Sequence, residues 1–195
     1  MLQSTSTELL NGLRDPRNHA AWLEFCARYG PVLLAFARRL GLGEADAQDA
    51  TQETFIAFAR AYQEGRYSRE RGRLRSWLFG VIQNKVRDIQ RRRARDPAGM
   101  SVAQERQLNQ RAADGAAAQV WEEEWRQAVI RTCLDLVRRD VAATTLAAFE
   151  AITLQEHAPE AVAKNLGMSK AAVVKANQRV LSRMRELHRM VDVEW

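Results

Sequence analysis

Between Lys170 and Arg183 the chain carries side chains suited to reversible contact with a polyanion. Lys170, Lys175, Arg179 and Arg183 supply cationic charge for phosphate oxygens. Gln178 and Ser182 supply donors and acceptors, and Ala171 and Val174 are short enough to let a base edge come close. This is the chemistry of recognition, not of bond making. Elsewhere His19, His157 and His188 are scattered, no glycine-rich phosphate loop occurs, and no carboxylate cluster has metal-ligand spacing. The sequence therefore predicts no catalytic residue, no metal and no cofactor. Cys26 and Cys133 are far apart on predicted apolar helix faces, which suits buried, reduced thiols.

Those residues need an element to present them, and the stretch 159–187 provides one. Pro159 suits a first helical position, and Glu160 favours the positive end of a helix dipole. Val162 and Leu166 are apolar anchors, Ala163 is small where a second helix crosses, and Gly167 permits the left-handed backbone after a first helix. Met168 fills the space under the turn and Ser169 is a good N-cap. Val173, Ala176, Val180, Met184 and Leu187 then form an inward stripe at helical spacing. The pattern predicts a helix-turn-helix whose second helix turns Lys170, Ala171, Val174, Lys175, Gln178, Arg179 and Arg183 outward, toward duplex DNA.

Charge marks a second candidate region. Residues 60–96 hold twelve basic and four acidic side chains, and residues 164–189 hold seven and one, whereas the net charge of the whole chain is only +6. Two separated basic blocks suit a protein that grips a polyanion at two places. The first block contains the stretch GRYSRERGR, read as a flexible basic loop with Arg66, Arg69, Arg71 and Arg73. A helix from Leu74 to about Arg93 follows. Leu74, Leu78, Ile82, Val86 and Ile89 face its core side, and Asn84, Arg87, Asp88 and Arg91 line the other. Before the loop, a helix from about Glu44 to Glu64 buries Ala47, Thr51, Phe55, Phe58 and Tyr62. Its opposite side shows Asp49, Gln52, Glu53, Ile56 and Arg60, and an isoleucine on an acidic and amide-bearing strip suits a docking surface.

With 195 residues and 46% apolar content, the chain can bury two modest cores. Apolar residues recur at helical spacing and nowhere alternate long enough for a sheet, so the fold class is all-α. Asn18 is expected to cap a helix carrying Trp22, Phe25, Cys26 and Tyr29 inward. Gly30 should end it before Pro31 opens the next, with Val32, Phe36 and Leu40. The stretch ARDPAGMSVAQERQLNQRAADGAAA is read as a flexible linker. The expected plan is thus a first domain at 1–95, a linker at 96–119 and a second domain at 120–195. In the second domain one helix runs from about Val120 to Arg139, with Trp121, Trp125, Val129, Leu136 and Val137 as scaffold. Another runs from about Ala142 to Glu156 with Leu146, Phe149 and Ile152. No membrane-length apolar run or leader-like start occurs, so a soluble, cytoplasmic protein without membrane insertion is expected.

Two stretches together resemble one family. DAQDATQETFIAF followed by RLRSWLFGVIQNKVRDIQRRR, between Leu33 and Arg93, is similar to region 2 of bacterial sigma factors of the extracytoplasmic function (ECF) group, in the sigma-70 family. VAKNLGMSKAAVVKANQRVLSRMRE is similar to their region 4. The resemblance implies a promoter-specificity subunit of RNA polymerase and assigns roles residue by residue. Asp49, Gln52, Glu53 and Ile56 match the surface that docks on the clamp helices of the β′ subunit. The loop with Arg66, Arg69, Arg71 and Arg73, and the face with Asn84, Lys85, Arg87, Asp88 and Arg91, match elements that read and open the minus-ten promoter element. Trp77 lies where the family keeps an aromatic near the melted edge, and it equally fits the core. The helix-turn-helix matches the reader of the minus-thirty-five element. Implied partners are core RNA polymerase, through the clamp helices and the β flap, and promoter DNA, with room for an anti-sigma factor or other regulator. Asn177 and Val174 depart from the family pattern, at positions usually apolar and basic respectively, and the acidic WEEEW stretch is less characteristic of it. The helix-turn-helix considered alone fits a stand-alone transcriptional regulator.

Overall fold

The computed structural model describes residues 5–68, 72–94 and 114–194. The regular elements among the described residues are helices: α1 (Thr5–Gly12), α2 (His19–Arg39), α3 (Glu44–Gln63), α4 (Leu74–Ala94), α5 (Asp114–Asp140), α6 (Ala143–Phe149), α7 (Pro159–Leu166) and α8 (Lys170–Glu194), with a π-helical turn at Glu150–Leu154. The chain divides into two compact units, one reaching to Arg126 and the other Gln127–Val193. That division lies inside α5, whereas composition placed a linker at 96–119. Residues 114–119 of that stretch are helical, as their run of alanines favours. Residues 95–113 lie outside the described residues. Among the described residues no helix is long and apolar enough to cross a membrane.

The first unit is built around α2, α3 and α4. The side chain of Asn18 accepts the Ala21 N–H at 3.1 Å and starts α2. The helix then continues through Pro31, correcting the expected break at Gly30. Proline forfeits one helical hydrogen bond there, but Phe25, Tyr29, Val32, Leu33 and Phe36 on either side are fully buried, and that burial holds the helix together. Trp22 and Cys26 are only half-buried, so Cys26 is less enclosed than expected. Ahead of α2, the short helix α1 contributes Leu9 and Leu10, with the following Leu13, to the core, an element beyond those expected from the sequence. The Tyr62 hydroxyl donates to its Leu10 carbonyl at 2.5 Å.

On α3 the buried line is Ala47, Ala50, Thr54, Phe58 and Ala61. Thr51, Phe55 and Tyr62, expected inside, are half-buried at its edge. Small residues occupy the centre because neighbouring helices approach closely there. Thr54 is tolerated because its hydroxyl donates to the Ala50 carbonyl at 2.7 Å. After α3 the chain reverses at Gly65, whose φ of 67° is the left-handed region glycine favours. All five core residues expected of α4 are buried.

In the second unit the later half of α5 buries Val129, Cys133 and Val137. Ala148, Val162, Val173 and Ala176 form a small core sealed by Ile152, Ala163, Leu166 and Met168. The sequence-derived turn chemistry is present: Pro159 is at the start of α7, and Gly167 ends it at φ 63°. The Met168 N–H donates to the Ala163 carbonyl at 3.0 Å. Ser169 Oγ accepts the Ala172 N–H at 3.1 Å. The expected helix from Ala142 to Glu156 instead ends as α6 at Phe149 and gives way to the π-helical turn. A β-carbon on Gly167 would meet open space, so its conformation alone resists substitution. Gly167→Ala should cost about 1 kcal/mol, read as a lower urea midpoint; an unchanged midpoint would refute the turn's dependence on glycine.

Candidate nucleic-acid interface

On α8 the inward stripe of Val173, Ala176, Val180 and Leu187 leaves the opposite side to solvent. Lys170, Ala171, Val174, Lys175, Gln178, Arg179 and Ser182 are exposed there, and Arg183 is half-buried. Their cations are not equivalent. Arg183 is held by Asp140 at 3.0 Å and by Glu186 at 3.2 Å, and these carboxylates push its guanidinium pKa up. Lys170 pairs with Glu160, whose carboxyl lies below its ordinary value through the hydrogen bond from that lysine. Among the described residues, Lys175 and Arg179 make no ion pair or hydrogen bond, so they meet an incoming phosphate without first losing a partner. Asn177, polar where an apolar residue was expected, accepts the Thr153 hydroxyl through Oδ1 at 2.8 Å. Its amide thereby ties α8 to the π-helical turn.

In the first unit Asn84, Asp88 and Arg91 are exposed on α4, while Lys85 and Arg87 are half-buried. Arg66 pairs with Glu64, and Arg73 is exposed just ahead of α4. Arg69 and Arg71 lie outside the described residues. Trp77 is half-buried, edge-on to Phe58 at 5.3 Å and to Tyr67 at 6.1 Å, so it joins the aromatic core while keeping an accessible edge. On α3, Asp49, Gln52 and Ile56 are exposed and Glu53 half-exposed, placing the expected strip on one solvent face. Glu53 and Lys85, assigned different roles by resemblance, form an ion pair at 2.8 Å. The lysine's hydrogen bond lowers the glutamate pKa, against the opposing effect of desolvation.

A further charged cluster escaped the sequence reading. The first half of α5 packs within the first unit, where Trp121 and Trp125 are buried. Trp121 lies edge-on to Phe36 at 5.4 Å, and Trp125 stacks on Tyr29 at 6.0 Å. The glutamates between them meet two arginines. Arg39 bonds Glu123 and Glu124, both at 3.0 Å. Arg75 pairs with Glu122 at 2.5 Å and lies over the Trp125 ring at 5.1 Å. Two tryptophans four residues apart, enclosing carboxylates, were the available signal; reading them as scaffold for the second unit assigned them to the wrong one.

Residues 25–96 match the family model of sigma-70 region 2. The RNA polymerase sigma factor CnrH of Cupriavidus metallidurans is 36% identical over 74 residues, 38% of this chain and 37% of that protein. The ECF RNA polymerase sigma factor SigE of Mycolicibacterium smegmatis is 30% identical over 93 residues, 48% of this chain and 35% of that protein. The matched stretches thus span little more than a third of these relatives' length. The solved structure of CnrH in complex with the cytosolic domain of CnrY aligns over 94% of this chain and 96% of that chain, at 22% identity and a TM-score of 0.39.

The unequal pairing on α8 has a measurable consequence. Lys175→Ala and Arg179→Ala should each flatten the salt dependence of duplex binding by about 0.9 in log–log slope, one phosphate contact apiece. Arg183→Ala should change it by less, because that guanidinium already has two carboxylate partners. Equal slopes for all three variants would reject the distinction.

Proposed function

We propose that the chain, whose residues 25–96 match sigma-70 region 2 and which is similar to ECF sigma factors, is a promoter-specificity subunit of that group that binds core RNA polymerase and directs it to promoter DNA. The carrying observation is the content of the segment matched by sigma-70 region 2. It holds the exposed α3 strip with its solvent-facing Ile56 and, on α4, a polar face next to a basic loop. Ile56, 45% exposed beside Asp49, Gln52 and Glu53, puts an apolar contact on a polar strip, and the β′ clamp helices are the partner this reading names for it.

In this reading Arg66, Arg69, Arg71 and Arg73 hold the strand backbone. Asn84, Lys85, Arg87, Asp88 and Arg91 meet bases and phosphates of the minus-ten element, and the accessible edge of Trp77 abuts the melted junction. Opening the duplex makes and breaks no covalent bond. It needs only tighter binding of the unstacked strand than of the duplex, and contacts to an extruded base offset an unstacking cost of a few kcal/mol. Polymerase supplies the catalysis. The outward face of α8 reads the minus-thirty-five element as duplex: Lys175 and Arg179 grip phosphates, and Ala171, Val174 and Gln178 stand closest to base edges. The β flap is the polymerase contact assigned to the second domain. A cytoplasmic address follows from work on the chromosome, and an anti-sigma factor or other regulator has a place in the scheme.

Transcription in vitro tests this directly. Purified core polymerase with this protein should initiate at a cognate promoter, and core alone should not. Failure to associate with core would overturn the proposal, while tight duplex binding without polymerase would favour a stand-alone regulator. Within the complex, Glu53→Gln with Ile56→Ala should weaken core binding by at least about tenfold, since hot-spot truncations cost ~1.4 kcal/mol or more. The helical circular dichroism should be unchanged, because both side chains are substantially exposed. Wild-type affinity in that variant would remove the docking role from α3.

A further inference from the structure

We infer that Glu122, Glu123 and Glu124 act as an internal phosphate mimic that keeps nucleic acid off one side of the first unit. The inference rests on the reading of that unit as a nucleic-acid binder. Arg39 at the end of α2 and Arg75 in the first turn of α4 are cations that phosphates would seek. Arg75 lies two residues from Arg73 and two from Trp77, next to the loop assigned to the minus-ten strand. Both arginines are already satisfied by carboxylates spaced along one helix, Arg39 by two and Arg75 by one.

The geometry is built rather than incidental. Trp121 and Trp125, 3% and 2% exposed, anchor the helix on both sides of the triad. Glu124 is itself buried against Arg39, and the hydrogen bonds that Arg39 donates to Glu124 and Glu123 push its guanidinium pKa up. Arg75 is additionally held over the Trp125 ring. A strand competing for these arginines would have to displace carboxylates carried on a stretch of helix that is anchored by indoles packed against Tyr29 and Phe36, with Glu124 itself buried. Neutral glutamines in their place would keep the helix and its tryptophans and release the two guanidinium groups. The triad thereby acts as a specificity determinant. It confines a bound strand to the loop and the polar face of α4, and lowers affinity for nucleic acid laid across α2.

The experiment measures binding of the full-length protein to an oligothymidylate of about twelve nucleotides across a salt series. Glu122→Gln, Glu123→Gln and Glu124→Gln combined should tighten binding about tenfold near 0.15 M salt and steepen the log–log slope by about 1.4, two contacts at ~0.7 each for single strands. Adding Arg39→Gln and Arg75→Gln to that variant should abolish the gain. A control with Glu8→Gln and Asp15→Asn removes negative charge elsewhere on the unit without releasing an arginine side chain and should leave the slope unchanged. An equal effect from the control, or an unaltered slope in the triad variant, would overturn the mimic. A second test leaves the triad intact: Arg39→Gln with Arg75→Gln alone should not weaken oligonucleotide binding, and a weakening would place those arginines on the strand. Polymerase-dependent initiation by the wild-type protein is scored separately, so loss of initiation fails the proposed function, whereas a triad null result with initiation intact fails this inference alone.

Discussion

Burial of Phe58 is the constraint on which the first unit depends. Its ring is fully enclosed, stacked on Phe25 at 4.7 Å and edge-on to Tyr67 and Trp77. One side chain on α3 thereby fixes α2, the turn after α3 and the start of α4 against one another. The period of the helix does the rest. With Phe58 directed inward, Ile56 two positions earlier must point away, and Glu53, Gln52 and Asp49 lie along the same outer side. The exposed isoleucine and the half-exposed tryptophan are consequences of one packing decision.

Charge availability obeys a similar economy. Counted in sequence, residues 60–96 are strongly basic, yet many of their cations are engaged at home: Arg66 by Glu64, Arg75 by Glu122, Lys85 by Glu53 and Arg93 by Asp46. Exposed ion pairs of this kind contribute only about 0–1 kcal/mol to stability, so their weight lies elsewhere. An engaged cation loses its carboxylate before it gains a phosphate, and the difference between the two sets its contribution to binding. Lys175 and Arg179 on α8 start with no partner to lose among the described residues. Equal formal charges on the two units thus do not imply equal affinity.

Much of this was legible from the chain, for identifiable reasons. The core positions of α4 and the turn at Gly167 follow from periodicity and from backbone demands that few residues can meet. The breaks were harder. Pro31 looked like a helix start because proline suits a first turn, but the aromatic and aliphatic burial around it outweighs one lost hydrogen bond. On α3 the expected stripe of Ala47, Thr51, Phe55, Phe58 and Tyr62 shares Ala47 and Phe58 with the buried line, whose other members are Ala50, Thr54 and Ala61, and Thr51, Phe55 and Tyr62 lie at the rim. The tryptophans of α5 were correctly read as scaffold but assigned to the second unit. Periodicity says that a side is buried; it does not say against what.

The departure at Asn177 shows how such gaps are filled by neighbours. An apolar residue there would be held by packing alone, and an amide at the edge of the inward stripe needs a polar partner to be stable. The partner comes from the π-helical turn, whose wider winding brings Thr153 within 2.8 Å of Asn177 Oδ1. That bond engages one of the two lone pairs of the oxygen and holds the amide toward the π-helical turn, so Asn177 helps to position α8. In the proposed reading, base contacts on this helix come from Gln178, which offers both donor and acceptor, and from Val174, whose methyl groups suit the thymine methyl. The two departures from the family pattern therefore differ in kind: Asn177 ties the helix to its own unit, and Val174 changes the chemistry of its exposed face.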